Sequence, residues 1–188
     1  IPSRLVGSEM CIRDRLETID GNVSLEIIGQ TPNLKYLKEL NNLISSSKHA
    51  ENITMTPFIK AEELISKYSS ANLFILPSKS EGLGRVIIEA QSTACPVLVS
   101  SNTGMVDLII ENETGYIFEN NNKNDLSNKI QHIMNNYESA LQTGLNSKDF
   151  VKENQSVANF EFGYKKLIDL VSTSVSYTHL TLPTMRTV

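Results

Sequence analysis

The strongest constraint on this chain is its alternation of short apolar or β-branched runs with amphipathic helical patterns. Residues 23–28 read as a strand stopped by Gly29. Pro32 then opens a helical pattern in which Leu34, Leu37, Leu40, Leu43 and Ile44 recur at helical spacing. Residues 53–58 form a second strand, and 62–69 a short helix whose Leu64, Ile65 and Tyr68 face inward. Residues 73–76 (Leu-Phe-Ile-Leu) are an unbroken apolar run, as expected of a strand buried on both faces of a parallel sheet. A loop at 77–84, a helix at 85–94 and a further buried strand at 96–100 follow. Beyond them the pattern predicts a short helix near 106–110, a turn at 113–115 and a small strand at 116–118. Asp125 is expected to cap a helix carrying Leu126, Ile130, Ile133 and Met134, and two more helices occupy about 138–152 and 156–171. Strands and helices in this order specify an α/β fold, a doubly wound parallel sheet with right-handed crossovers.

The two ends stand outside that rhythm. Residues 9–14 can be coded GAG ATG TGT ATA AGA GAC, whose reverse complement translates as Val-Ser-Tyr-Thr-His-Leu, the sequence of residues 175–180. Nothing in folding makes two ends reverse complements, and both resemble translated sequencing adapter. Residues 1–14 and 175–188 are therefore expected to be non-native, leaving one domain at 15–174, truncated at its own start. These ends carry three Arg against one Glu and one Asp, so the −4 charge of the whole chain becomes −5 for the remainder. An acidic chain without a basic block argues against nucleic acid as a partner. No apolar run approaches the roughly 20 residues of a membrane span. Cys95, in Ala94-Cys95-Pro96-Val97, reads as a buried reduced thiol, which fits a cytoplasmic setting. The Asn-X-Ser/Thr triplets at Asn22, Asn52, Asn112 and Asn154 read as chance in an Asn-rich chain.

In doubly wound sheets ligands bind beyond the carboxyl ends of the strands. The loop there with most chemistry is Pro77-Ser78-Lys79-Ser80-Glu81-Gly82-Leu83-Gly84, running into Arg85 and the next helix. Glycines at a helix mouth let backbone N–H groups approach a ligand, and the positive helix end favours a phosphate. Glu89, in the second turn, can accept hydrogen bonds from the two hydroxyls of a ribose. Phosphate first and diol second is the layout of a nucleoside diphosphate. Taken singly, Glu89 is a solvated helix charge, Glu81 a favourable helix-end charge, and Gly82 and Gly84 turn glycines; the combination points to a ligand.

These residues resemble the C-terminal, donor-binding domain of retaining glycosyltransferases of the GT-B fold, in glycosyltransferase family 4, the glycosyl transferases group 1. The resemblance rests on Pro77-Ser78, Glu81-Gly82-Leu83-Gly84, Glu89-Ala90 and Pro96-Val97. It continues through residues 103–107 and 113–117, and so covers about 20–170. It implies a Rossmann-like domain in which Glu89 binds the donor ribose and Glu81 touches the transferred sugar near the reacting centre. Ser78, Gly82, Leu83 and Gly84 would line the donor, and Phe58 and Ile59 would border its base. Leu83 departs from a usual aromatic, Thr103 from a common glycine and Asp107 from a usual Glu.

The implied partner is a UDP-, GDP- or ADP-sugar, with no metal and no other cofactor. The family's basic Arg and Lys pair for the diphosphate would precede the native start; Lys79 and Arg85 read as surface residues rather than substitutes. The acceptor would sit on a missing N-terminal domain, through which alone any peripheral membrane association would come, and the fragment alone is expected to be inactive. His49 and His132 read as solvated. Two alternatives are a dinucleotide-binding dehydrogenase and a non-catalytic module of the same fold. For the first, Gly82-Leu83-Gly84 opens a Gly-X-Gly-X-X-Gly fingerprint, but its third glycine is Ile87 and no acidic residue ends the next strand.

Overall fold

The computed structural model describes residues 23–29, 33–78, 82, 84–155 and 157–174. The two end segments set aside above therefore lie outside the described residues. In chain order the elements are β1 (Leu25–Ile28), α1 (Leu34–Ser45), β2 (Ile53–Thr56), α2 (Ala61–Ser70), β3 (Phe74–Leu76) and α3 (Arg85–Ser92). They continue with β4 (Val97–Ser100), β5 (Tyr116–Phe118), α4 (Lys123–Asn135), α5 (Tyr137–Asn154) and α6 (Val157–Ser174). Single 3-10 turns lie at Ala50–Asn52 and Val106–Leu108, the second in place of the short helix expected there. The chain divides into two compact units, Ile1–Val151 and Lys152–Val188. In the second, α6 is a helix of 18 residues with Phe162, Tyr164 and Ile168 exposed.

All strand pairings among the named strands are parallel, as the β-α alternation requires. The ladder is divided: β1 pairs with β2, and β3, β4 and β5 pair in that order. The middle strand β4 is buried at every position, whereas Phe74, Ile75 and Leu76 of β3 are each only half-buried. The run at 73–76 is thus the edge strand of its set, and β4 is the strand fully covered on both faces. Side chains still alternate as a pleat demands. Leu73 and Ile75 pack on one core with Leu98, Tyr116, Phe118, Leu126, Ile130 and Ile133. Phe74 and Leu76 pack on the other with Tyr68, Ile87, Ala90, Val97 and Val99. A core on each face of one sheet is the doubly wound arrangement.

Helix ends follow local cap chemistry more closely than apolar periodicity. Asn33 borders α1, and its side chain accepts the Tyr36 N–H at 3.1 Å; Pro32, expected to open this helix, lies outside the described residues. Asn122, not Asp125, caps α4, accepting from the amides of Asn124 and Asp125. The Asp125 carboxylate instead accepts the Glu119 N–H at 2.7 Å and so ties the loop after β5 to the helix. One inward expectation fails: Ile65 is 55% exposed. Its helix neighbours Leu64 and Tyr68 already fill the inward stripe.

Helix α5 makes an unusually close approach to the sheet unit. Its inward stripe is small: Ala140, Thr143, Gly144 and Ser147 are buried. The Thr143 hydroxyl lies 3.3 Å from the Tyr116 hydroxyl, and a Cβ placed on Gly144 would lie 2.2 Å from the Ala94 carbonyl oxygen. Cys95, next to that turn, is buried, and its thiol donates to the Ala71 carbonyl at 3.7 Å. Burial pushes the thiol up to about 11, against the lowering effect of a backbone hydrogen bond at Phe74. Because the thiolate is the nucleophile, iodoacetamide at pH 8 should modify Cys95 at least about 100-fold more slowly than an exposed thiol. Peptide-resolved mass spectrometry reads this, and rapid labelling would contradict the packing described.

Candidate functional site

The loops that follow β3, β4 and β5 share one edge of the three-stranded sheet. This is the edge where an α/β sheet can receive a ligand. After β3 the chain passes through buried Ser78 and exposed Gly82 to Gly84, which borders the first turn of α3. Glu81 and Leu83, together with Lys79 and Ser80, lie outside the described residues.

The two glycines have different reasons to be glycine. A Cβ on Gly82 would meet nothing within 4 Å, so this position is open toward an approaching molecule. A Cβ on Gly84 would lie 3.1 Å from Ile87 Cδ1, 3.2 Å from Thr103 Cγ2 and 3.4 Å from Leu76 Cδ2. The backbone of Gly84, at φ −80°, needs no glycine. Of the two glycines, only Gly82 has open space beside it; Gly84 lets the helix start close against β3 and the loop after β4.

Helix α3 has no side-chain cap and no acidic residue in its first turn, so its positive end is not neutralised by α3's own first turn or by a cap. One and a half turns on, Glu89 is exposed, and its carboxylate has no hydrogen-bond or ion-pair partner among the described residues. On the other side of Glu89 lies α2. The Tyr68 phenol, packed edge-on against Phe74, is pushed well above its usual range by burial and secondarily by the negative charge of Glu89. Among the described residues Glu89 thus has no side-chain partner and stands on a packed base.

Phe58 and Ile59 follow the carboxyl end of β2. Phe58 is 66% exposed, an aromatic face available to a planar group, and Ile59 is half-buried. Of the two histidines read as solvated, His132 is exposed, but His49 has a buried Nε2 without a partner. Among the described residues no group of three His, Cys, Asp or Glu is placed to hold a metal ion, and no helix is long and apolar enough to cross a membrane.

Sequence reasoning missed the polar lacing of the other two loops. The Ser100 hydroxyl, fully buried at the end of β4, donates to the Asn120 side chain at 3.2 Å, and the Asn120 N–H donates to the Ser101 hydroxyl at 3.1 Å. Serines at a strand end and an Asn-rich loop gave no local sign of meeting across 20 residues.

Comparison with known proteins adds independent findings. The sequence matches the family described as glycosyl transferases group 1 across residues 12–150. A glycosyltransferase of Methanocaldococcus jannaschii is 31% identical over 142 residues, covering 74% of this chain and 38% of that protein. The C-terminal domain of a glycosyl transferase group 1 family protein from Francisella tularensis superposes with a TM-score of 0.73 at 20% identity, over 80% of each chain. The Anabaena protein HepE, solved in complex with UDP and glucose, superposes at 0.76 and 18% identity, over 92% of this chain and 46% of that one. The chain thus spans less than half the length of the whole proteins it resembles.

Proposed function

Because this chain belongs to the glycosyl transferases group 1 family, we propose that it is the donor-binding half of a retaining glycosyltransferase that takes a nucleoside diphosphate sugar. The observation that carries this reading is the pairing of a helix mouth without a side-chain cap, open at Gly82, with a carboxylate at Glu89 on the same helix that has no partner among the described residues. A diphosphate at the mouth meets first-turn amides and the positive helix end. Glu89 then lies farther along the helix, where a ribose diol can donate to it. Phe58, exposed beyond β2, supplies a face for the base. That HepE was solved with UDP and glucose supports a sugar nucleotide as the ligand class.

In this reading the transferred sugar lies by the loop containing Glu81, and the diphosphate leaves as the glycosidic bond to it lengthens. Fixed N–H dipoles stabilise the charge that develops on the leaving oxygen. The acceptor is held by a second domain, and closure of the two would exclude water from the reaction. The chain by itself binds donor weakly and transfers nothing.

The test is a titration of the isotope-labelled chain with UDP-glucose, GDP-mannose, ADP-glucose and NADH, followed by NMR. Amide shifts at Gly82, Gly84 and Glu89 with one sugar nucleotide are expected. Preferential NADH binding would instead favour the dehydrogenase reading, which Ile87 already disfavours: at the fingerprint's third glycine it is a fully buried core side chain.

A further inference from the structure

The break in the sheet lies between β1 and β3, yet side chains on both faces tie these two strands together. On one face Val23 and Leu25, before and in β1, pack on the same buried cluster as Leu73 and Ile75, before and in β3. On the other face α2 reaches both strands. Its Lys67 pairs with Glu26 of β1 at 2.9 Å, and the next residue, Tyr68, packs edge-on against Phe74 of β3. Glu26 and Phe74 each lie near the start of their strand. The end of α2 therefore holds the amino ends of β1 and β3 at one edge, and the two strands run the same way. Neither core takes a side chain from β2, so it is β1 that faces β3.

The two strands nevertheless do not pair. β1 is bonded to β2 and β3 to β4, and among the described residues no strand runs between β1 and β3. Each turns an unpaired row of backbone N–H and C=O groups toward the other. Strands in a sheet lie about 4.8 Å apart and a helix with its side chains is about 10 Å across, so one helix can touch two strands that are next but one. A gap one strand wide accounts for a shared core without shared hydrogen bonds. It also accounts for Phe74, Ile75 and Leu76 being only half-buried although all three are apolar.

We propose that the space between β1 and β3 is a strand-acceptor site, filled by one further parallel strand of the full-length protein. Both side walls are backbone edges, so the occupant is extended, bonded on both sides and free of proline. Leu25 and Ile75 border it on one face, Tyr68 and Phe74 on the other. The occupant is therefore apolar at every position, the pattern of a strand covered on both faces, and matches the four residues of β1 in length. The same protein can supply it, because this chain covers only 38% of the M. jannaschii relative. Insertion joins the two ladders in the order β2, β1, inserted strand, β3, β4, β5. The inference rests on strand pairing and is independent of the sugar-nucleotide reading.

The experiment adds the peptide acetyl-Lys-Ile-Val-Leu-Val-Ile-Lys-amide to the isotope-labelled full chain and follows amide hydrogen exchange by NMR. Amides of Leu25–Ile28 and Phe74–Leu76 that face the gap should exchange about tenfold more slowly with the peptide, and the melting temperature should rise by about 4 °C. The same peptide with proline in place of its central leucine should do neither, because the ring removes a ladder donor. Protection confined to the outer edges at β2 or β5 would mean that the peptide adds to any open edge, and the proposal falls. Unchanged exchange at about 1 mM peptide also overturns it. Sedimentation of the free chain reads the remaining case: a dimer whose β1 and β3 amides are already protected makes a second copy the occupant, which overturns the assignment to a strand of the same protein.

Discussion

Replacing Gly144 with alanine should lower the melting temperature by about 10 °C, a large loss for the addition of one carbon. The added Cβ would sit 2.2 Å from the Ala94 carbonyl oxygen, 3.1 Å from the Ala94 carbonyl carbon and 3.3 Å from Pro96 Cδ. Two of those atoms are backbone, and that backbone has little freedom to yield. Ala94 is a non-glycine residue held in the left-handed region at φ 63°, with its N–H bonded to the Gln91 carbonyl at 2.9 Å. Pro96 then leads directly into the fully buried β4. The strain is therefore relieved by moving α5 outward, which opens the contacts of Ala140 and the Tyr116–Thr143 hydroxyl pair. Overpacking of this kind costs about 3 kcal/mol, whereas alanine in an exposed helix position would gain up to about 1. Leu145→Ala, on the exposed face of the same helix, should change stability by less than about 0.5 kcal/mol. Circular-dichroism melting of the two variants reads the difference; a fall under about 2 °C for Gly144→Ala would mean that α5 does not press on this turn.

Gly144 also marks where sequence reading stops. An isolated glycine within a helical pattern looks locally like a weak helix residue, and only the tertiary approach of Ala94 explains it. Gly84 carries the converse lesson: a glycine at a helix mouth reads as room for a ligand, yet its hydrogens face Ile87, Thr103 and Leu76. By contrast, β5 was legible to the residue, because Tyr116–Phe118 is a short β-prone run with polar turns on both sides. The helices were legible as elements but not at their ends. Asn122 and Asp125 are both good caps three positions apart, and which one serves depends on whether Glu119 N–H claims a carboxylate. The run at 73–76 identified the parallel sheet, but β4 proved the covered strand because an apolar string carries no information about which strands flank it. The candidate site was legible as a motif. Of its residues, the placement of Glu89, Gly82, Gly84, Ser78, Phe58 and Ile59 can be described, while Glu81 and Leu83 lie outside the described residues.

Glu89→Gln should weaken binding of the preferred nucleoside diphosphate sugar by about twentyfold, since a charge-assisted pair of hydrogen bonds becomes a neutral one. The same change should leave the melting temperature within about 1 °C, because the carboxylate is exposed and supports no hydrogen bond or ion pair among the described residues. That separation matters: a structural role would move stability first and affinity second. The ribose contact itself is isolated by a cycle in which the 2′-deoxy form of the same sugar nucleotide is titrated into wild type and variant. If Glu89 accepts from the diol, removing the 2′-hydroxyl costs wild type several-fold in affinity but costs Glu89→Gln much less, because the partner has already been weakened. Equal penalties in the two proteins would move Glu89 away from the ribose even if the overall affinity falls. Unchanged affinity in Glu89→Gln would leave the helix mouth without its second anchor, and a nucleoside diphosphate lying along α3 would no longer account for where this carboxylate stands.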